Sequence, residues 1–381
     1  MGGRLVLAVF IDGYGHRIAS RYPILQERLR WTGPLRTEFG YSSTCDPTIL
    51  TGVAPRDHGH FSFFVFDPVR SPFRRLRWMR WLPKAVVDRG RVRGWISRAL
   101  APLLGYTGYF QIYAVPWERL PWLDYSEKRD LYQPGGILGG QRTLFDDLRA
   151  AGVPFHLSDW RRSEEDNLRA LEEAARGGTC RLAWLFLGGL DGVLHRVGTG
   201  HPEVPRHLAW YEERLRRVLD LADRTHSEVR LHLFSDHGMA DVNRTVDLQG
   251  VVEGTGLVFG RDYAAVYDST MARFWYLREG ARQRIEDAIA AVSGGAILPD
   301  ETLQSWGCDF PGRRYGHRFW LADPGVLIVP SDMGRRPLAG MHGYHPEAED
   351  MVAFYGTSTA DAPRPASLRD LKGILWGEAT R

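Results

Sequence analysis

The chain has 381 residues, 44% hydrophobic and 25% charged, with a formal net charge of only +3. That composition excludes a low-complexity or disordered chain and allows one large α/β domain with insertions, or two domains. No run of eighteen apolar residues occurs, which excludes a membrane-spanning helix. The three widely spaced cysteines Cys45, Cys180 and Cys308 read as small buried hydrophobes in a reducing compartment, not as a disulfide framework.

The first element is LVLAVFID (5–12), a continuous apolar run. It ends in Ile11-Asp12-Gly13 instead of the small residues of a signal-peptide cleavage site, so it reads as a buried strand entering a functional loop, and a cytoplasmic protein is expected. YSSTCDPTILTG (41–52) follows, with Ser42, Ser43, Thr44, Cys45, Thr48 and Thr51 as candidate nucleophiles. Pro47 in that stretch is compatible with the first turn of a helix. Residues 68–140 break the regular pattern. They hold five of the thirteen tryptophans (Trp78, Trp81, Trp95, Trp117, Trp122) and read as an inserted cap.

Within the cap, residues 70–98 carry ten basic side chains and one acid, Asp88, for a local charge of +9 against −6 for the rest of the chain. Three readings compete. The arginines could grip an anionic substrate such as a phosphorylated glycan, lipid or nucleotide. They could dock on an anionic membrane surface through Arg interleaved with Trp. They could be a solvated basic helix pair covering the site. No nucleic-acid-binding module accompanies the charge, so nucleic acid is not the expected partner.

After the cap, TLFDDLRAAG (143–152) reads as a helix, VPFHLSDW (153–160) as strand-like, and SEEDNLRALEEAARG (163–177) as a helix capped by Ser163. LAWLFLGGLD (182–191) reads as a strand, HLAWYEERLRRVLDLADR (207–224) as a helix and LHLFSDHG (231–238) as a strand. Residues 245–335 turn to shorter strands, ARFWYL and GVLIVP among them, and suggest a small mixed α+β subdomain with antiparallel pairing. The expected fold is a doubly wound α/β core with a mainly parallel sheet over 1–67 and 141–381, interrupted by the 68–140 cap.

Three apolar runs end in a carboxylate: Asp12, Asp191 and Asp236. In such a sheet the ligand site lies beyond the carboxyl ends of the strands. Buried strand ends do not carry three acids without a partner for the charge. Asp191 and His195 form D-x3-H, Asp236 and His237 are adjacent, and AGMHGYHP supplies His342 and His345. Mixed carboxylate and imidazole donors suit zinc, with manganese or iron as alternatives, and six such donors suit two ions. His58 and His60 read as structural.

The ordered set of Asp12, YSSTCDPTILTGVAPRDHGH, LDGVLHRVG, SDHGM and GMHGYHP resembles the alkaline phosphatase superfamily, and within it the type I phosphodiesterase/nucleotide pyrophosphatase branch. The resemblance implies one ion held by Asp12, the loop nucleophile, Asp236 and His237, and a second held by Asp191, His195 and His342, with His345 as the fallback for His342. In that superfamily the nucleophile lies ten residues before the Gly of the T-G block, here Gly52, which selects Ser42. Ser43 is the next candidate, and the sulfatase-like Cys45 is out of register. A metal ion would activate the hydroxyl, and a helix N-terminus beneath it would favour a phosphoryl oxygen. The branch has an Asn after the H-G block where this chain has Phe63, so nucleotide-type recognition is not expected to carry over unchanged.

The resulting expectation is a two-metal hydrolase of phosphate esters (diester, monoester or pyrophosphate) working through a covalent phosphoseryl intermediate. A transferase on the same core and a metal-free binding protein are the alternatives. The expected partner is an anionic phosphate-containing small molecule, glycan or lipid, with peripheral contact to an anionic membrane through residues 70–98.

Overall fold

The computed structural model describes residues 2–381. Its elements, in chain order, begin with β1 (Gly2–Ile11), β2 (Trp31–Leu35), α1 (Ser42–Thr51) and α2 (Gly90–Leu103). They continue with β3 (Phe155–Leu157), α3 (Glu164–Gly177), β4 (Leu182–Leu187) and α4 (Gly189–Val197). The core closes with α5 (Glu203–Thr225), β5 (His226–Phe234) and β6 (Ala353–Thr357). The six strands form one sheet in the order β2-β6-β5-β1-β4-β3. β3, β4, β1 and β5 run parallel, and β6 is antiparallel to both its neighbours. This is the mainly parallel α/β architecture expected from the alternation of apolar runs with helical patterns.

The apolar run of β1 is continuous because both of its faces are covered. Leu5, Leu7, Val9 and Ile11 enter one core with residues of α3 and α5, whereas Val6, Ala8 and Phe10 enter the other with residues of α1 and the C-terminal helix. A strand buried on both sides has no use for alternating polar residues. Each large aliphatic side chain removed from water in this way contributes about 1.5–3 kcal/mol. Helix α5 shows the complementary pattern. Its buried residues Val204, Leu208, Tyr211, Leu215, Val218 and Ala222 recur at helical spacing, with charged residues between them. Ser163 starts α3 as expected, accepting a hydrogen bond from the Asp166 N–H at 3.1 Å.

Two local expectations are corrected. The run 182–191 is not one strand: β4 stops at Leu187 and Asp191 lies in the first turn of α4. The Gly188-Gly189 pair gives the chain room to turn at once from strand into helix. Pro47 is also not in a first turn. Helix α1 begins five residues earlier, at Ser42, and carries Pro47 in its interior. The proline donates no N–H there, which releases the Ser43 carbonyl from the usual helical bond.

Residues 263–267, 271–276, 318–322 and 295–297 form a second sheet, antiparallel throughout. The turn of its first hairpin holds Asp268, Ser269 and Thr270. Arg273, fully buried, donates to Asp268 at 2.8 Å, to Ser62 Oγ at 2.7 Å and to the Phe64 carbonyl at 2.9 Å. This buried pair ties the hairpin to the segment that follows α1. The 68–140 region opens with a ten-residue 3-10 helix, Pro72–Trp81. Its side chains repeat every three residues, so Phe73, Leu76 and Met79 share one row and pack into a core with Ala264, Val266 and Trp275 of the second sheet.

Candidate active site

The loops after β1 and β5, the N-terminus of α1, the first turns of α4 and the segment after Met341 converge on one point. Asp12 directly follows β1, and Asp236 and His237 follow β5, the neighbouring parallel strand. Gly15 and Gly238 allow these two loops to touch. A Cβ on Gly15 would lie 2.3 Å from Gly238 Cα, a distance no side chain can occupy. The Gly13 N–H donates to Asp236 Oδ1 at 3.2 Å and so links the loops directly.

Ser42 is the first residue of α1, and its Oγ lies 3.1 Å from His237 Nε2. The other hydroxyls of the stretch are committed elsewhere. Ser43 and Thr44 both donate to the Phe61 carbonyl at 2.8 Å, and Thr48 bonds His58 at 2.9 Å. Cys45 is buried, 3.6 Å from Thr37 Oγ1, and burial pushes its thiol well above the ordinary value. Ser42 is therefore the hydroxyl of this stretch that faces the Asp/His cluster.

On α4, Asp191 and His195 stand one turn apart, with His195 Nε2 3.2 Å from Asp191 Oδ2. His342 completes this group: its Nε2 is 3.7 Å from Asp191 Oδ1, and its ring stacks on that of His237 at 3.7 Å between centroids. His345 turns away to pack edge-on against Trp306 and to accept the Glu347 N–H. His58 and His60 are buried scaffolding. His60 Nε2 accepts the Leu138 N–H at 2.9 Å, and burial pushes its pKa down to about 3.

The donor chemistry fits divalent cations. Buried Asp12 Oδ1, Asp191 Oδ1, Asp236 Oδ2 and His342 Nδ1 have no hydrogen-bond partner among the described residues. Such atoms cost too much to leave unsatisfied without a charge to meet them. Asp12 is accordingly pushed well above the ordinary carboxylate value by burial, and then by Asp236, Asp191 and Asp46. Two imidazoles are oriented by backbone carbonyls. His195 Nδ1 lies 2.9 Å from the Gly340 carbonyl and His237 Nδ1 3.0 Å from the Gly238 carbonyl, so each ring carries a proton there and turns its Nε2 toward the site. Donor atoms of Asp191, His195 and His342 lie within 4.8 Å of one another, as do those of Asp12, Asp191 and His237. Asp191 stands between the two groups.

The cluster forms the floor of a chamber of about 650 Å³. Its walls are aromatic: Phe63, Tyr109, Tyr113, Tyr132 and Trp160 all line it. Phe63 stacks on Tyr113 at 5.8 Å and on Tyr125 at 5.6 Å. Two further wall residues, Asp46 and Glu127, pair with no basic group among the described residues. Burial pushes Asp46 up, reinforced by Asp236 and Glu127, and pushes Glu127 up to about 8. None of the ten basic side chains of 70–98 lines the chamber; its one arginine is Arg336. Of the three readings of the basic segment, the one in which it grips the substrate finds no support in this lining. Residues 68–140 reach the chamber instead with Tyr109, Tyr113, Glu127, Asp130, Leu131 and Tyr132, none of them singled out from the sequence.

Comparison with known proteins decides the family. The sequence model described as type I phosphodiesterase/nucleotide pyrophosphatase matches residues 41–345. The chain belongs to this family. It is thus a hydrolase of phosphodiester or pyrophosphate bonds within the alkaline phosphatase superfamily. Murine ectonucleotide pyrophosphatase/phosphodiesterase 5 (ENPP5) shares the fold at a TM-score of 0.68 and 17% identity, covering 98% of this chain and 95% of that one. Human ENPP5 matches at 0.67 and 16% identity, with 98% and 94% covered. An inactive murine ENPP5 in complex with AMP gives the same values. No curated protein sequence matches the chain.

Proposed function

We propose that this phosphodiesterase cleaves phosphodiesters with Ser42 as nucleophile, through a phosphoseryl intermediate, on a centre built for two divalent ions. The observation that carries the proposal is the position of Ser42 Oγ, 3.1 Å from His237 Nε2 and beside the partnerless carboxylate oxygens of Asp12 and Asp236. Asp12, Ser42, Asp236 and His237 would hold one ion, and Asp191, His195 and His342 the other. Zinc suits this donor set, with manganese or iron as alternatives. When bound, such ions neutralise developing charge on phosphoryl oxygens and lower the pKa of the serine hydroxyl.

The chain's own residues supply the rest. As the first residue of α1, Ser42 projects its hydroxyl from a helix N-terminus. The N–H groups of Ser42 and Ser43 have no backbone partner among the described residues and are available to a phosphoryl oxygen. Ser42 Oγ attacks phosphorus, the P–O bond to the leaving alcohol breaks, and that oxygen takes a proton. Water then attacks the phosphoserine and returns Ser42 as a free hydroxyl.

The chamber argues for the leaving group. Aromatic walls offer faces to a nucleobase, as in a nucleotide, or to another flat or apolar group. Two buried acids that hold their protons, with no cation beside them, give a polyphosphate tail nothing to pair with; they suit a neutral end, or a cationic one that would draw them into the ionised form. The test is a substrate panel on metal-loaded enzyme: an aryl monoester, an aryl diester, an aryl sulfate, a nucleoside triphosphate, and diesters ending in a nucleoside, a neutral alcohol or a quaternary ammonium. The diesters are expected to lead, with the neutral and cationic ends above nucleoside triphosphate. Dominant sulfate or monoester turnover would overturn the reading.

A further inference from the structure

We propose that the basic, tryptophan-bearing segment of residues 72–98 docks the protein on an anionic lipid bilayer. The observation is the three-row pattern of the 3-10 helix Pro72–Trp81. In a helix of three residues per turn, positions i and i+3 eclipse one another. Phe73, Leu76 and Met79 face the interior. Arg74, Arg77 and Arg80 form a second row, and Arg75, Trp78 and Trp81 a third, and all six are exposed. Helix α2 repeats the arrangement at α-helical spacing: Arg91, Trp95 and Arg98 are exposed, while Arg93 turns inward to pair with Asp88 at 2.8 Å.

The exposed apolar groups are large, and Trp81 carries the Arg80 guanidinium 4.6 Å over its ring. Trp81 is 76% exposed, Trp95 65%, Trp78 55%, Leu103 81% and Val69 79%. A solvated helix pair has no reason to hold these in water. The charge is equally unspent. Arg74, Arg75, Arg77, Arg80, Arg89, Arg91 and Arg98 form no ion pair among the described residues; the nearby pairs are those of Arg70, Lys84 and Arg93. Arginines with interleaved tryptophans match the headgroup and acyl boundary of an anionic membrane. Nucleic acid would use the arginines and could stack on tryptophan, but it offers nothing to Leu103 or Val69. The face also adjoins the chamber: Asp88, between the two basic helices, pairs with Arg335 at 2.9 Å, and the neighbouring Met333, Gly334 and Arg336 line the chamber.

Co-sedimentation of the full chain with vesicles tests this. Vesicles of phosphatidylcholine with about a third phosphatidylglycerol should bind the protein, pure phosphatidylcholine should not, and raised salt should weaken binding. Trp78→Ala/Trp81→Ala and Arg74→Gln/Arg77→Gln/Arg80→Gln should each weaken binding, the latter about five-fold per arginine removed. Both variants should keep wild-type turnover of a soluble aryl diester, which shows that they are folded. Equal binding to neutral and anionic vesicles, or wild-type vesicle binding by both variants, would overturn the proposal. So would tighter binding to a DNA duplex than to the anionic vesicles, lost in the arginine variant alone.

Discussion

Glu127 is the residue whose charge most directly opposes its surroundings. Burial raises its pKa from 4.5 to about 8, and it faces the chamber without a basic partner. The linkage has a definite sign. The folded state holds the proton more tightly than the unfolded chain, so the contribution is fully present below about pH 4.5 and is lost as pH rises through about 8. The upper bound on that loss is about 5 kcal/mol. Glu127→Gln removes the titration. The variant should match the wild type near pH 5 and exceed it in stability at pH 8, as denaturant titration at both values would show. An equal gain at both values would place the effect elsewhere.

Single residues also mark where the sequence was legible. The superfamily resemblance points to Ser42 through its register to Gly52, and the Asp/His donors stand out because metal-binding residue types occur in short dense runs; the structure brings these side chains together. Asp46, Glu127, Tyr109 and Tyr113 gave no such signal. Each is an ordinary residue in its local context, and only the folded chain brings it to the wall of the chamber.

At the scale of elements, the site depends on two loops held in contact by residues without side chains. Gly15→Ala would drive a Cβ into the Gly238 backbone at 2.3 Å. The loops carrying Asp12 and Asp236-His237 would have to separate. The variant should lose bound metal and turnover together and unfold more easily by about 1–3 kcal/mol, read by metal analysis and a denaturant midpoint. Normal metal content in that variant would contradict the close approach. Arg273 plays the matching role on the other side. Arg273→Ala leaves Asp268 buried and unpaired beside the chamber and should cost about 3–5 kcal/mol. Element reading from sequence succeeded where periodicity was long, as in β1, α3 and α5. It failed at Asp191, because a strand and the helix after it joined into one apolar run. It also missed the 3-10 helix, although Phe73, Leu76, Met79 and Leu82 repeat every three residues, because so long a helix of this kind is uncommon.

For the whole molecule, the parallel sheet gathers donors from five separate segments, and the cluster they form carries an excess of buried negative charge. Bound metal should therefore stabilise the fold. Chelation should abolish turnover and lower the unfolding midpoint, and restored zinc or manganese should recover both. With free metal a hundredfold above its Kd, each ion contributes about 2.7 kcal/mol. An unchanged midpoint after complete metal removal would contradict the placement of the ions among these donors. The general fold was legible because doubly wound sheets follow from alternation alone. The chamber was not, because its shape comes from how the cap, the second sheet and the core meet.

The central claim is that Ser42 is the nucleophile. Its most direct measurement is turnover of an aryl phosphodiester by Ser42→Ala, with bound metal counted on the same sample. The account predicts a loss of about 10⁴-fold or more in kcat with the Asp/His ligands still holding metal. Turnover within a few-fold of the wild type, at full metal content, would contradict it.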